Sequence, residues 1–500
     1  MTLSRRDFLK LSALVAGSAA LSACGPVYDL LEGQAPFEAK QAWGPLTRLP
    51  ASDFRALGRM TFGPTISERK RVAQIGLMNW IEEQLDPESL EAFSLSLRLR
   101  NLTTLDKSAN DLFDISNELF DSFDKQTVPG QLRQATLLRQ VYSPRQLYEV
   151  MVEFWSDHFN ITTEKGDCYY LKTVDDREVI RAHALGNFRD LLWASAHSPA
   201  MLVYLDNQAN HKGAPNENYA RELMELHTLG VDGGYSQNDV MELARCFTGW
   251  TVKERFWRGE FTFEDDLHDN GVKTVLGMRI DPAGQAEAEG VIERLALHPS
   301  TARYISTKLA RRFISDDPPA EAIEKATAAF IQTQGDIRAV LRVILLDGLA
   351  GMQPKYKRPV NFVTSALRLL DAETDGGNAV QKYLLRMGQP YFGWPTPDGY
   401  PDDNLRWQGN LMPRWQFAFA LVQNEIGKTK VNLRELVERI GTQSPTALLD
   451  AVSTLLLGVP LEPSQRNTLL SALSGTGASK ADMLRIITGG ILASPAFQWR

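Results

Sequence analysis

The sequence predicts a mostly α-helical protein: a large multi-helix single domain with a small β-hairpin insertion near 250–280. Three observations carry this. From Ser52 onward, apolar residues recur at helical spacing, and many segments open on Ser, Asp or Pro in capping or first-turn positions. Between Thr251 and Ile280 that period gives way to alternation, in TVKERFWRGEFTFED and VKTVLGMRI, with Gly259 and Asn270-Gly271 as turns. With 43% apolar and 23% charged residues in 500, the chain can bury a large core.

The N-terminus reads as an address. Ser4-Arg5-Arg6-Asp7-Phe8-Leu9-Lys10 precedes a short apolar run from Leu11 to Ala20, the pattern of a twin-arginine export signal. The run is too short for a permanent membrane span. It closes on Leu21-Ser22-Ala23-Cys24, a lipoprotein cleavage box that makes residues 1–23 a removable signal and Cys24 the lipidated, membrane-anchoring N-terminus. Gly25 in place of an aspartate after that cysteine favours the outer membrane. Residues 24–50, with Gly25-Pro26 and Gly44-Pro45, form a tether, and 51–500 the helical domain, with a C-terminal lobe as an option from about 357. Cys168 and Cys246 remain. No CxxC occurs, and free thiols are favoured over a bridge for a chain that folds in reducing cytoplasm before export.

In order, helices are expected from Ser52 to Met60, from Ser67 to Leu85, and around 108–125 and 131–141. Ser143-Pro144 opens another that runs to Asn160. More follow at 176–183, 186–196, 216–229 and 237–249. Beyond the β insertion they resume at 285–297, 299–316, 319–333 and 336–347. MGQPYFGWPTPDGYP at 387–401 holds four prolines and three glycines, so it is a structured loop. Helices return from about Asn404 to Gln423 and in the last 70 residues.

Charge excludes one class of partner. With 54 basic against 61 acidic side chains there is no excess to neutralise phosphates, so nucleic acid is not expected.

The most organised stretch is PNENYARELMELHTLG at 215–230. Asn216 is placed to cap it and Gly230 to stop it. On a regular α-helix Ala220, Leu223, Met224, Leu226 and His227 share one arc, and Glu217, Asn218, Arg221, Glu222 and Glu225 the other. The plain account of that polar arc is a solvated face with ion pairs worth about 0.2–0.5 kcal/mol each. The sharper account makes it the wall of a site, with Glu222, Glu225 and Arg221 as catalytic groups and Asn218 as a ligand contact. His227, inside the apolar arc, fits a satisfied core histidine.

All seven histidines lie between 158 and 298. His158, His183 and His268, together with the carboxylates, are the candidate ligands of a divalent transition metal. No HExxH, paired ExxH or facial-triad spacing supports them. His211 and His298 look like loop or cap residues. No GxSxG elbow or phosphate-binding glycine loop is present. Tyr391, Trp394 and Asp398 in the proline-rich loop could form a sugar-stacking or apolar platform; the plain account is that these aromatics pack the loop onto the helices.

Several segments together carry a resemblance: RMTFGPT at 59–65, FWSDHFN at 154–160, HALGNFRDLL at 183–192, PAMLVYLDN at 199–207, the 215–240 stretch, FTGWTV, KLARRF at 308–313, KRPVNFV at 357–363 and GQPYFGWPTPDGYP. The chain resembles the bacterial exported family catalogued as domain of unknown function eighteen hundred. That resemblance implies twin-arginine export and, as a partner, a second exported family similar to the alkaline phosphatase and sulfatase fold. It implies no catalytic set. Two function classes fit: a metal-assisted hydrolase or oxidoreductase acting on cell-envelope material, and a non-catalytic envelope module that binds a partner protein or glycan.

Overall fold

The computed structural model describes residues 48–116, 126–254, 257–440, 444–473 and 479–500. The twin-arginine segment, the cleavage box with Cys24 and nearly all of the tether lie outside them. Helices follow one another with short connections, as their periodicity and caps predict. None of the described helices is long and apolar enough to cross a membrane. Cys168 and Cys246 are buried free thiols.

Local chemistry sets the boundaries. Thr65 opens Ile66–Ile75 with a reciprocal capping box to Glu68. The helix expected to run on to Leu85 breaks at Gly76, whose φ of +83° suits glycine, and a second helix covers Leu77–Leu85. His298 caps Pro299–Phe313, its Nδ1 accepting from Ser300 N at 3.1 Å. Gln146–His158 starts two residues later than Ser143-Pro144 suggests, and the Ser143 hydroxyl accepts from Arg145 N at 3.1 Å.

The β insertion is two hairpins. Trp250–Val252 pairs with Phe261–Phe263, and Lys273–Val275 with Met278–Ile280, both antiparallel. The second turns at Leu276-Gly277, both at positive φ, whereas Asn270-Gly271 only joins the hairpins. A third two-stranded ladder, Glu373–Thr374 with Thr429–Lys430, was not expected from the sequence.

Among the described residues two helical segments widen to π geometry. Asp176–Arg181 and Leu223–Thr228 are π-helical, a rare form that concentrates at functional sites. The 216–229 helix is therefore α only over Asn218–Glu222. Thereafter Leu229 N donates to Met224 O at 2.8 Å, and the Thr228 hydroxyl to Leu223 O at 2.6 Å, both five residues back. Buried and half-buried pairs then alternate every four residues from Tyr219 to Thr228. Leu226 consequently turns half outward while His227 stays buried.

Residues Pro45–Arg500 pack as one unit. The optional boundary near 357 does not appear in the packing, because Pro359–Leu369 is buried along its whole length. That helix and Gln146–His158, with Trp155 donating to Ala184 O at 3.0 Å, bring their polar ends to the same region.

Candidate active site

A cavity of about 480 Å³ opens where four distant segments meet. The C-terminal turn of Gln146–His158 contributes Asp157 and His158, and Pro299–Phe313 contributes Lys308 and Arg312. Arg358 comes from the N-cap of Pro359–Leu369, and Asp402 from the end of the proline-rich loop. The loop is pinned there by its backbone. Asn160 Nδ2 donates to Trp394 O at 3.0 Å and to Thr396 O at 2.8 Å, and Tyr204 donates its hydroxyl to Pro395 O at 2.8 Å. Gly399 has φ +72°, and a Cβ there would lie 2.0 Å from the Asp157 carbonyl oxygen. Only glycine lets the loop close onto Asp157.

The protonation of His158 follows from its partners. Its Nε2 lies 3.1 Å from the His227 carbonyl, which can only accept, so Nε2 carries the proton. Nδ1 is then a lone pair, and the Lys308 ammonium donates to it at 2.9 Å. Burial, then the Lys308 charge, holds His158 well below the usual imidazole range. Burial lowers Lys308 to about 8, with Asp157 opposing the fall. Burial raises Asp157 to about 6; Arg358, donating to it at 2.6 Å, pulls it back, and the neighbouring Glu153 adds to the rise. A carboxyl and an amine on the wall of one cavity are thus both poised near neutrality.

The sequence-nominated acids do not line this cavity; Glu222 is linked to it only through the charge of Asp398 on its wall. Glu222 and Glu225 are half-buried. Burial raises Glu222, and Glu225 and Asp398 of the loop add to the rise. Glu225 accepts from the Tyr235 hydroxyl at 3.4 Å. Arg221 bonds Glu217 and Gln237, each at 2.9 Å. Asn218 Nδ2 donates to Leu205 O at 3.1 Å and so ties two segments together.

In the loop, Asp398 sits on the cavity and accepts from Trp394 Nε1 at 2.9 Å. Trp394 packs against Tyr356, Tyr400 and Trp407, so it anchors the loop. Tyr391 is buried behind the cavity and donates to Gln140 Oε1 at 2.5 Å. There a void of about 30 Å³, room for a water or two, touches Glu149, Glu153, Asp157, Asp176, Arg181 and Tyr391. Asp176 and Arg181 come from the first π segment.

The three imidazoles proposed as metal ligands do not converge. Among the described residues no group of three or more His, Cys, Asp or Glu side chains could hold a metal ion. His158 offers its one lone pair to Lys308. His268 is buried in the β insertion with both ring nitrogens against acceptors, Thr248 O at 2.8 Å and Glu287 Oε1 at 3.1 Å. His183 is half-buried and lies at neither place; burial lowers its protonation and Asp190 opposes this. The donor set does not fit a metal. His227 is a core residue as expected, but it is not satisfied, for neither ring nitrogen has a hydrogen-bond partner.

Sequence reasoning passed over Asp157, Lys308, Arg312, Arg358 and Asp402. A signal was present for one of them: Asp157 directly precedes His158 in FWSDHFN. The others are single charges on amphipathic segments with no local spacing to mark them.

No curated protein and no solved structure matches the chain. One family model does, and its match takes in every segment that lines the cavity. Described as "Protein of unknown function (DUF1800)", it covers residues 55–499, and the chain belongs to that family.

Proposed function

We propose that the protein is an exported, lipid-anchored hydrolase of cell-envelope material that works by general acid–base catalysis in the Asp157–Lys308 cavity. The observation that carries this is that Asp157 and Lys308 line one cavity, where burial raises the carboxyl and lowers the amine. At neutral pH Asp157 is ionised and takes a proton from water, while Lys308 is an ammonium and gives one to the leaving group. His158, neutral and held by two hydrogen bonds, positions Lys308. Export and anchoring rest on the twin-arginine segment and Cys24. The phosphatase- or sulfatase-like partner implied by the family resemblance would act on the same material.

The test is incubation of the purified mature protein with isolated envelope fractions, with product release followed by mass spectrometry. Products are expected from the wild type and not from Asp157→Asn. Release should peak between pH about 6 and about 8, falling below as Asp157 takes up a proton and above as Lys308 loses one. Wild type and Asp157→Asn behaving alike in every fraction would overturn the proposal and is the result expected of a non-catalytic binding module.

A further inference from the structure

The floor of this cavity carries more guanidinium than its carboxylates satisfy. Arg312 is 1% exposed and bonds Glu153 through Nη2, yet its Nη1 comes no nearer to Asp402 than 4.0 Å. Its Nε and Nη1 have no hydrogen-bond partner. Arg358, 3% exposed, reaches Asp157 and Glu153 at 2.6 Å each and leaves Nε unpartnered. Deeper in, Arg59 Nε and Nη1 and all three guanidinium nitrogens of Arg500 are buried without partners. Buried donors left unpaired are costly and uncommon.

These cations also act on one another. Burial lowers Arg59 to about 9, with Asp402 opposing and Arg312 adding to the fall. Burial lowers Arg500 well below its usual range, and Arg312 and Arg59 push it further. Asp402 is held far below the usual carboxylate range: burial opposes ionisation but Lys355, Arg312 and Arg358 outweigh it. The buried cluster therefore sets Arg59, Arg312, Lys355, Arg358 and Arg500 against Glu153, Asp157, Asp316 and Asp402. Asp398 and Asp403 at the mouth limit what can enter, so the position open to a negative group is the Arg312 side, beside Lys308 and Arg311.

We infer that Arg312, with Arg358 and Lys308, forms an oxyanion-recognition subsite, and that the ligand carries a compact phosphate, sulfate or carboxylate group. With Nη2 held by Glu153, Arg312 Nη1 is left as a charge-assisted donor without a partner, and Arg358 and Lys308 add positive charge from neighbouring segments. As the identity of a substrate group, this rests on the hydrolase reading above; as a binding site it stands by itself.

The experiment is titration of the mature protein with inorganic phosphate, sulfate or acetate in a non-coordinating buffer, each matched to chloride at equal ionic strength. Calorimetry and thermal denaturation are the readouts. Saturable heat and a concentration-dependent rise in Tm are expected for one of the three, which names the class. Arg312→Lys keeps the charge facing Glu153 but loses the unpartnered guanidinium N–H donors, and should weaken binding roughly tenfold or more. Arg312→Gln should abolish binding if it folds. Asp157→Asn should bind the anion at least as well as wild type while releasing no product. Absence of saturation beyond the chloride control, or equal affinity in Arg312→Lys, overturns the subsite. Anion binding without Asp157-dependent turnover overturns the hydrolase reading and leaves the subsite standing, and the converse result does the reverse.

Discussion

Lys308 Nζ lies 2.9 Å from His158 Nδ1, although 150 residues separate them in sequence. The direction of this bond is fixed from the far side of the ring, where Nε2–H donates to the His227 carbonyl. That carbonyl belongs to the π segment Leu223–Thr228. The unusual helix therefore selects the tautomer of His158, the tautomer selects the donor, and the lysine is held at the cavity wall.

Lys308→Met tests the cost of that arrangement. The amine titrates at about 8 in the fold against the ordinary lysine value of 10.5, so between those values the unfolded chain binds more protons. Stability of the wild type should thus rise with pH across this window, by about 3 kcal/mol, and the rise should be missing in Lys308→Met. Denaturant midpoints from pH 7.5 to 10.5 measure the difference between the two proteins. Parallel curves would show that Lys308 is solvated.

Gly399→Ala should damage the site through the backbone. The new Cβ would meet Asp157 O at 2.0 Å, and φ of +72° is strained for alanine. A loss of about 2–4 kcal/mol is expected, with loss of turnover even in the folded fraction. Gly388→Ala in the same loop is the control: its φ is +83° but a Cβ there meets nothing within 4 Å, so it should cost less. Equal losses would mean that conformational strain, and not the approach to Asp157, dominates.

These residues also show what the sequence could disclose. Helix positions were legible because amphipathic spacing, prolines and capping side chains act locally, as at Thr65-Glu68 and His298-Pro299. The break at Gly76 was missed because apolar spacing continues on both sides of it. The π segments were missed because an i+5 hydrogen bond needs no distinctive residue types; only the burial rhythm of Tyr219 to Thr228 betrays it. At the site, His158 was found by its imidazole, whereas the crowded polar arc that singled out Glu222 lies outside the cavity lining. Lys308, Arg312 and Arg358 were not found, since a lone cation on an amphipathic helix is ordinarily solvated, and burial depends on packing across 150 residues or more. Grouping His268 with His158 failed for the same reason: both are imidazoles within the stretch from 158 to 298, but tertiary packing gave His268 to Glu287.

Glu287→Ala should unfold the β insertion. Glu287 takes His268 Nε2 at 3.1 Å on one oxygen and Lys273 Nζ at 2.5 Å on the other, all with side chains 0% exposed. Burial opposes its ionisation, but Lys273, the Ala283 backbone and His268 together lower it, so this stabilisation is present above the unfolded carboxyl range and lost as pH falls below it. Removing the carboxylate leaves the buried Lys273 ammonium uncompensated, at a cost of about 3–5 kcal/mol. Hydrogen exchange of the amides of Lys273–Ile280 reads the effect locally, and unchanged protection there would contradict it.

His227→Phe should make the protein more resistant to acid. The His227 ring is 1% exposed with neither nitrogen partnered, and burial, helped by the Lys308 charge, lowers its protonation to about 3. Between that value and the ordinary 6.5 the unfolded chain binds a proton that the folded chain refuses, so wild-type stability falls as pH falls through this window. Phenylalanine fills a similar space and removes the penalty, while the residue's carbonyl still accepts from His158. The stability gap between variant and wild type should be small at pH 7 and reach about 2 kcal/mol in favour of the variant at pH 5. Thermal denaturation of both proteins at the two pH values decides it. A constant gap would mean that His227 is charged or hydrated in the fold, and the neutral imidazole pair facing Lys308 would have to be abandoned.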